Sequence, residues 1–282
     1  MLLKKKFSFK DLNVSVVIGT ISMHLLAVFA FYYVTFGSIL IFIFLGWLTG
    51  WVGIGVCYHR LLTHSSFKTP KWFMYLLATI GSLAWQGGPI IWVGNHRLHH
   101  QHADTDKDPH TPKHGFTWAH MFWLFLKNAV GKDPRDAAKD LTKDKGICFI
   151  NKFFLAPQIF LAIFLFAFGL WYENLYTAIA WTIWGIGVRT VVVYHVTWFV
   201  NSTSHTWGYR SFDTNDTSTN CWWVAYLSGG EGWHNNHHAH QRCAAHGRKW
   251  WEFDPVFRTI QILSFFGLAY DIISAPDSPD HK

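Results

Sequence analysis

The sequence predicts an all-α integral membrane protein, in which four transmembrane helices form two hairpins beneath a cytoplasmic helical cap. Three observations lead to this prediction. Half of the 282 residues are apolar and only 15% are charged, whereas about a quarter of the residues in soluble domains are charged. Four apolar runs have the length of a membrane span, and most of the eighteen histidines lie outside these runs.

The four apolar runs come in two pairs. Residues 15–36 and 38–58 follow each other almost directly, and residues 153–172 and 175–200 meet at Glu173-Asn174. A helix needs about 20 apolar residues to cross the hydrocarbon of a bilayer. Each pair therefore predicts a helical hairpin that returns to the side of the membrane on which it began.

The basic residues indicate which side that is. Arg189 is the only one of the 24 Lys and Arg residues inside a predicted span, and cytoplasmic segments carry the excess of such residues. We therefore expect both termini and a cap of residues 59–152 and 201–282 to face the cytoplasm, within a single domain of residues 1–282. This topology explains the net charge of +7, so the expected partner is the lipid bilayer and no nucleic acid.

A further apolar stretch, residues 72–84, is too short to span the membrane and ends just before Gln86-Gly87-Gly88-Pro89. Its length predicts an interfacial helix. A span here would also separate the histidines before it from those after it, on opposite sides of the membrane.

Three histidine clusters follow these apolar segments. The first is a His-x4-His pair, and the other two share the spacing His-x-x-His-His. Positions i, i+3 and i+4 share one face of a helix, so we expect each of these two clusters to aim three imidazoles at one point. The clusters are His59 and His64; His96, His99 and His100; and His234, His237 and His238.

His205 is a ninth candidate ligand, because Asn201 and His205 form an i, i+4 pair just past the fourth span. In such a pair Asn201 could hold a metal-bound water. Imidazole suits iron, copper, nickel and zinc, and eight or nine imidazoles exceed what one ion can hold. The sequence therefore predicts a histidine-rich dimetal site in the cap.

The remaining histidines and the nearby acids receive supporting roles. We expect His24 and His195 to pack helices within the spans. The histidines that flank the clusters are expected to support the ligands or to lie on the surface; they are His102, His110, His114, His120, His240 and His246. Metal-bound imidazoles usually donate their second N–H group to a carboxylate or a carbonyl. The candidate carboxylates are Asp104, Asp106, Asp108, Asp213 and Glu231.

These motifs resemble those of the membrane fatty acid desaturases, in particular the stearoyl-type delta-9 branch and its bacterial acyl-lipid members. The resemblance runs from about residue 40 to residue 270. It rests on the three histidine clusters and on Gln86-Gly87-Gly88-Pro89, the run from His96 to Asp108-Pro109-His110, Asn201-Ser202, Gly208-Tyr209-Arg210 and the run from Gly230 to His238.

The resemblance implies a di-iron centre held by the nine histidines and by a water on Asn201, in which zinc can replace iron. Oxygen would be the co-substrate, and a cis double bond would form in a saturated acyl chain carried by a lipid or by coenzyme A. Because the sequence has no Gly-x-Gly-x-x-Gly fingerprint of a nucleotide-binding fold, an external donor, ferredoxin or cytochrome b5, would supply the electrons.

The resemblance also implies a bent acyl tunnel. Gln86, Trp92, Thr197 and Trp198 match family positions that grip the chain at its bend. On the second span, Trp47 and Trp51 recur at intervals of four residues with His59. We expect Trp51 to close the tunnel floor and to favour acyl chains of sixteen carbons or fewer.

Two other classes of membrane protein use similar histidines. A membrane hydroxylase of fatty acyl chains or alkanes shares the histidine clusters, and its product distinguishes it. A metal transporter would place ionisable groups along the spans, whereas here they gather at one boundary. Carboxylate-bridged di-iron bundles need four glutamates, and this chain has only Glu173, Glu231 and Glu252.

Overall fold

The computed structural model describes residues 9–127, 129 and 131–274. Within these residues the chain is helical, with isolated backbone bridges but no β-strand, which agrees with the predicted all-α class. The chain before residue 9 and after residue 274, predicted to be cytoplasmic, lies outside the described residues. In chain order the α-helices are α1 (Val14–Val28), α2 (Phe36–Gly46), α3 (Lys71–Ser82), α4 (Pro89–His102), α5 (Phe116–His120), α6 (Pro134–Ala137), α7 (Lys145–Lys152), α8 (Ala156–Tyr172), α9 (Leu175–Thr182), α10 (Arg189–Ser202), α11 (Trp222–Ser228), α12 (His234–Ala239) and α13 (Pro255–Phe265).

Among the described residues, three continuous helices are long and apolar enough to cross a membrane. They run over Val14–Phe31, Phe36–Thr63 and Leu175–His205, and they overlap the first, second and fourth predicted spans. The third predicted span overlaps α8, which meets the same test only together with α7, across a bend of 57°. The several apolar helices are those of a membrane protein, while the arrangement of four spans stays a prediction.

The first hairpin turns at a helix cap that the sequence encodes locally. The Thr35 hydroxyl accepts the backbone N–H of Ser38 at 3.0 Å, and the Ser38 hydroxyl accepts the backbone N–H of Thr35 at 2.9 Å. This reciprocal pair satisfies two backbone donors that the start of α2 would otherwise leave unpaired. Between them, Gly37 admits the Trp181 indole, which would lie 2.8 Å from a Cβ at this position.

The second hairpin is similarly compact. The Asn174 side chain accepts the backbone N–H of Thr177 at 3.0 Å and caps α9. A Cβ on Gly169 would lie 2.7 Å from the Cα of Ala178, so only glycine allows α8 and α9 to approach this closely.

The second span changes its helical form where it approaches the cap. Residues Trp47–Thr63 continue α2 as a π-helix, and its i to i+5 pattern extends to the His64 N–H, which donates to the His59 carbonyl at 3.2 Å. π-Helical segments are rare and occur frequently at functional sites. This π-helix carries His59 and ends directly before His64.

The predicted interfacial helix is α3, which begins and ends within two residues of the predicted bounds. Phe73 and Leu77 are buried on one face, whereas Trp72 and Leu76 are exposed on the other. Its twelve residues are about 18 Å long at 1.5 Å per residue, too short to cross the hydrocarbon.

Arg189, the lone cation predicted inside a span, is fully buried. Its guanidinium donates to the carbonyl of Gly185 at 3.0 Å, to the Oε1 of Gln158 at 2.6 Å and to the carbonyl of Leu83. Because Leu83 caps the C-terminus of α3, where the helix dipole favours a cation, Arg189 ties this helix to the fourth span.

Candidate metal centre

Nine imidazoles converge in two adjacent groups near the C-terminal ends of the helices over Phe36–Thr63 and Leu175–His205. Within each group the ligating nitrogens lie within 4.8 Å of one another. The first histidine group is His59, His64, His96, His100 and His237, and the second histidine group is His99, His205, His234 and His238. The structure thus brings together all nine histidines that were predicted as ligands.

Each His-x-x-His-His cluster is divided between the two groups. On α4, His96 and His100 belong to the first group and His99 to the second, whereas on α12 His234 and His238 belong to the second group and His237 to the first. The expectation that each cluster aims all three imidazoles at one point is therefore wrong. With 3.6 residues per turn, positions i and i+4 lie about 40° apart around the helix, and position i+3 lies about 60° away on the other side.

The Nε2 atoms in the first group face one another. The Nε2 of His237 lies 3.2 Å from that of His59 and 3.0 Å from that of His100, which is itself 3.1 Å from the Nε2 of His96. The His64 ring stands edge-on to the His100 ring, with the ring centroids 4.6 Å apart.

The second group shows the same pattern. The Nε2 of His238 lies 3.3 Å from that of His99 and 3.1 Å from that of His234, and the latter lies 3.1 Å from the Nε2 of His205. Two nitrogens bound to one ion at about 2.1 Å would be roughly 3.0–3.4 Å apart, so the separations in both groups suit a shared metal.

The protons on these rings strengthen this interpretation. His99 Nδ1 lies 2.9 Å from Asp108, and His238 Nδ1 lies 2.8 Å from Asp216. A neutral imidazole that donates from Nδ1 carries a lone pair on Nε2. The 3.3 Å contact between these Nε2 atoms would therefore bring two lone pairs together, and a cation between them removes the repulsion. Both histidine groups fit metal ions on this geometry.

Carboxylates also lie beside the Nδ1 atoms of two further histidines. Glu231 lies 2.5 Å from His59 Nδ1, and Asp104 lies 3.2 Å from His205 Nδ1. Together with Asp108, three of the five acids predicted to support the ligands therefore contact the histidine groups. Asp106 and Asp213 are exposed, and Asp106 reaches only His114, at 3.9 Å.

Asp216, which contacts His238, was missed by the sequence analysis. It lies 22 residues before its partner in a loop rich in Ser, Thr and Asp, and no spacing signal connects the two. Thr214 and Ser218 hold the carboxylate in place, because the Thr214 hydroxyl and the Ser218 backbone N–H donate to its Oδ1 at 2.8 and 3.0 Å.

The electrostatics around the histidine groups favour neutral imidazoles at His234 and His237, a protonated one at His99 in the absence of metal, and charged carboxylates. Burial and the neighbouring imidazoles hold the pKa of His234 and of His237 well below the ordinary value of 6.5. Burial lowers the pKa of His99 as well, but the charge and hydrogen bond of Asp108, together with the charges of Asp104 and Asp216, raise it above its ordinary value. Burial raises the pKa of Asp108, but the charges of His99 and His110, together with hydrogen bonds from His99 and from the Asp104 backbone, hold it below its ordinary range. Neutral imidazole is the form that binds metal.

Two flanking histidines are buried against the groups. His246 Nδ1 lies 3.3 Å from Glu231, and its ring lies 4.4 Å from that of His237. The His110 ring stacks on His99 at 4.2 Å. The flanking histidines were expected either to support the ligands or to lie on the surface. His110 and His246 are buried and contact ligand histidines, so they support the ligands.

Three other histidines form a hydrogen-bonded chain between α1, α10 and α5. His24 Nε2 lies 3.1 Å from His195 Nε2, and His195 Nδ1 lies 3.0 Å from His120 Nε2. The chain ends at the Thr20 carbonyl on one side and at the Ser202 hydroxyl on the other. His24 and His195 were expected to pack helices, and their contact joins the first span to the fourth.

Two cavities meet beside the first histidine group. The first cavity has a volume of about 450 Å³ and the second about 610 Å³. Trp92, His96, Thr197 and Asn201 line both of them. Asn201 therefore faces the space between the cavities at the metal centre, and its role as a holder of metal-bound water stays a prediction.

Hydrogen bonds fix the junction of the two cavities. The Gln86 amide nitrogen donates to the Thr197 hydroxyl at 2.9 Å, and the Trp92 indole donates to the Gln86 carbonyl oxygen at 3.1 Å. Trp198 is buried and lines the second cavity. The structure therefore places all four of the residues predicted at the tunnel bend around this junction.

Trp47 and Trp51 both line the first cavity. The cavity continues past Trp51 along the second span to Phe42 and Ile43. The Trp51 indole donates to the Leu227 carbonyl at 3.2 Å. Trp51 is thus part of the cavity wall, and the expectation that it closes the tunnel floor stays a prediction.

The fatty acid desaturase family model matches residues 35–271, which include both histidine groups and all residues that line the first cavity. The chain belongs to the fatty acid desaturase family. It is 46% identical to an sn-1 stearoyl-lipid 9-desaturase of Anabaena variabilis, over 89% of this chain and 90% of the relative. It is 44% identical to an sn-1 stearoyl-lipid 9-desaturase of Synechocystis sp., over 91% and 79%, and 42% identical to an sn-2 palmitoyl-lipid 9-desaturase of Nostoc sp., over 90% and 87%.

Membership in this family makes the chain a membrane-associated oxidoreductase that acts on fatty acyl groups. The two histidine groups of this desaturase form a site suited to metal, and iron is the metal typical of the family. The expected resemblance to the delta-9 branch is confirmed by the family match and by these relatives.

Proposed function

We propose that this desaturase introduces a cis double bond at the ninth carbon of a saturated acyl chain carried by a membrane lipid, with two iron ions and oxygen. The observation that carries the proposal is the pair of all-imidazole groups beside the junction of two cavities. The relatives named as 9-desaturases of stearoyl- and palmitoyl-lipids support the position and the lipid carrier.

In this proposal the first histidine group would hold one iron ion and the second histidine group the other. Asn201 would bind a water that is a ligand of one of the ions. When bound, reduced iron supplies the site at which oxygen is activated. All nine donors are imidazoles, which suit iron and also zinc, so zinc can replace iron in protein made without an iron supply.

The proposed reaction couples a two-electron oxidation of the acyl chain to the four-electron reduction of oxygen. Two C–H bonds on neighbouring methylenes break, and the electrons left on carbon form the double bond. Oxygen takes four electrons, two from the acyl chain and two from an external donor, and becomes two waters with two hydrogens from the chain and two protons from solvent.

The residues of this chain position the reactants. Asp108 and Asp216 accept the Nδ1–H of His99 and His238, and the carboxylates of Asp104 and Glu231 lie beside the Nδ1 of His205 and His59. These contacts favour ring orientations that leave Nε2 free for metal. The hydrogen bonds of Gln86 hold the junction where the acyl chain bends. The first cavity is lined by apolar residues such as Val193 and Val196, which exclude water from the site of oxidation.

The topology in this proposal has four spans, with both termini and the histidine groups on the cytoplasmic side. The Lys and Arg residues outside the spans support that orientation. A small one-electron carrier protein, ferredoxin or cytochrome b5, would deliver the electrons on the cytoplasmic face, where a basic surface suits an acidic donor.

Expression in a host that makes no unsaturated lipids, followed by fatty acid analysis, tests the proposal. The expected product is a cis-9 monounsaturated acyl chain that appears only with oxygen. A His99→Ala variant should abolish the product, and a His102→Ala variant, outside both histidine groups, serves as its control. A hydroxylated product would instead identify a membrane hydroxylase, and the absence of any oxygen-dependent product would reject both.

A further inference from the structure

The wall of the first cavity reaches the outer surface of the protein. Ile43 and Trp47 of the second span line this cavity, yet they are 57% and 40% exposed. Val192 of α10 and Leu227 of α11 also line it, and they are 40% and 53% exposed. Because these four wall residues also lie on the outer surface, we infer that the cavity opens beside them.

The position of this mouth determines what it faces. Ile43 and Trp47 belong to the helix over Phe36–Thr63, and Val192 belongs to the helix over Leu175–His205, both of which are candidate membrane spans. The outer faces of such helices contact hydrocarbon. The mouth between these two spans and the edge of α11 therefore opens sideways into the bilayer and not into water.

The shape of the cavity leads from the metal centre to this mouth. Its inner end is lined by His59, His96 and His234, and its outer end by Ile43 and Trp47. Trp51 lies between these two ends on the second span. Its indole donates to the Leu227 carbonyl and packs against Gly229. Gly229 has a φ of +73°, and a Cβ there would lie 2.8 Å from the indole, so glycine keeps this wall in place.

The second cavity, unlike the first, is lined by lysine and arginine side chains. Lys127, Lys132, Asp133 and Arg135 line it. Asp133 pairs with Arg135 at 3.4 Å, and the two lysine ammonium groups suit the polar head of a lipid at the membrane interface. The two cavities together form a passage with one polar end and one lateral, apolar end.

We propose that the lateral mouth between Ile43, Trp47, Val192 and Leu227 receives the methyl end of the acyl chain, which extends from the metal centre back into the bilayer. This inference rests on the proposed function. The head of the substrate then fixes the distance to the new double bond. In contrast to the prediction that Trp51 closes the floor, the length of the tail beyond the double bond is not limited. An acyl chain can also slide in sideways without passing through water, which strongly disfavours exposed methylenes.

A chain-length series tests this inference in the expression host described above. With saturated chains of fourteen, sixteen, eighteen and twenty carbons, the wild-type protein should place the double bond at the same carbon counted from the head and should show no sharp upper limit. A cutoff between any two successive lengths would overturn the inference. Absence of desaturation at every length would instead reject the proposed function.

Narrowing the mouth provides a second test. Leu227→Trp and Val192→Trp should each lower the ratio of twenty-carbon to fourteen-carbon product by about tenfold or more, as steric changes in apolar pockets do. The matched control is Leu40→Trp, because Leu40 is exposed on the same span as Ile43 but does not line the cavity. A ratio that stays within about twofold of wild type in both mouth variants would contradict the inference.

Photolabelling of the wild-type protein keeps the inference testable if the variants do not fold. A lipid whose twenty-carbon chain ends in a diazirine should label Ile43, Trp47 or Leu227 at the mouth, together with neighbouring lipid. Labelling confined to Val193 and Val196, the buried or half-buried residues in the interior of the cavity, would show that the tail folds back inside a closed cavity and would overturn the inference.

Discussion

His59 Nδ1 lies 2.5 Å from one oxygen of Glu231, and the guanidinium of the next residue, Arg60, donates to the other oxygen at 3.0 Å. Arg60 is fully buried and also pairs with Asp254 at 2.9 Å. One carboxylate thus orients a proposed iron ligand while a buried cation fixes the carboxylate. Consecutive residues of the π-helix supply both partners.

Replacement of this carboxylate should weaken metal binding. In Glu231→Gln an amide oxygen can still lie beside His59 Nδ1. The negative charge that makes this imidazole a stronger metal ligand is lost. We expect metal affinity to fall by about 10–100-fold, as for other supporting residues of metal sites. Iron content at limiting iron measures this, with the same substitution at Glu173, on the exposed hairpin tip, as the control. Equal iron content in the two variants would contradict the role of Glu231.

Asp216 and Asp213 lie in the same loop, but only Asp216 contacts a histidine of the two groups, so the two aspartates provide a test of that contact with a matched control. Asp216 lies 2.8 Å from His238 Nδ1, whereas Asp213 is exposed. We expect Asp216→Asn to lower metal affinity and oxygen-dependent product by about 10–100-fold, and Asp213→Asn to leave both near wild type. The same effect of both variants would argue that the loop as a whole, and not this contact, is required.

The Gln86–Thr197 hydrogen bond should control the position of the double bond. Thr197→Val keeps the side-chain shape and removes the oxygen that accepts from Gln86 at 2.9 Å. The lost bond is worth about 1 kcal/mol, enough for several-fold more product at neighbouring carbons. Mass spectrometry of the products measures this distribution. Thr182→Val on the same span, where the hydroxyl bonds only to the Ala178 carbonyl, is the control, and an unchanged distribution in Thr197→Val would reject the assignment.

Acid should destabilise the metal-free protein. Burial lowers the pKa of His110 to about 3 and that of His246 to about 4, from an ordinary value of 6.5. Between these values the unfolded chain binds protons that the folded chain does not, so stability falls as the pH drops below 6.5. The supporting carboxylates do not change this trend above pH 3.8. Because the pKa values of Asp104 and Asp108 are lowered from 3.8 in the folded protein, the stability that these carboxylates contribute is lost only below that pH.

The thermal unfolding midpoint in detergent measures this dependence. We expect it to decrease from about pH 7 to about pH 5, and bound metal to make the decrease steeper because protons and metal compete for imidazole. A midpoint that is constant over this range would show that the buried histidines are not held neutral by the fold.

The sequence predicted the histidine centre because its signals are local. A His-x-x-His-His spacing needs only the geometry of one helix, and the apolar runs need only the thickness of a bilayer. The nine histidines therefore meet as expected. Their division into two groups depends on how α4 and α12 face each other, which local spacing does not contain.

The supporting residues were harder to predict because their contacts are long-range. Asp216 reaches His238 across 22 residues and His246 reaches Glu231 across 15, and neither distance leaves a pattern in one sequence. Proximity along the chain instead suggested Asp106 and Asp213, whose side chains are exposed. The π-helix was likewise not predicted, because α- and π-helices of this composition share the same apolar pattern.

The metal content of the purified protein tests the central claim most directly. Two histidine groups should bind two iron ions per chain after reconstitution, and a His205→Ala variant, altered in the second histidine group only, should keep the ion of the first. One ion or none per wild-type chain at saturating iron, in folded protein, would contradict the division of the nine imidazoles into two metal sites.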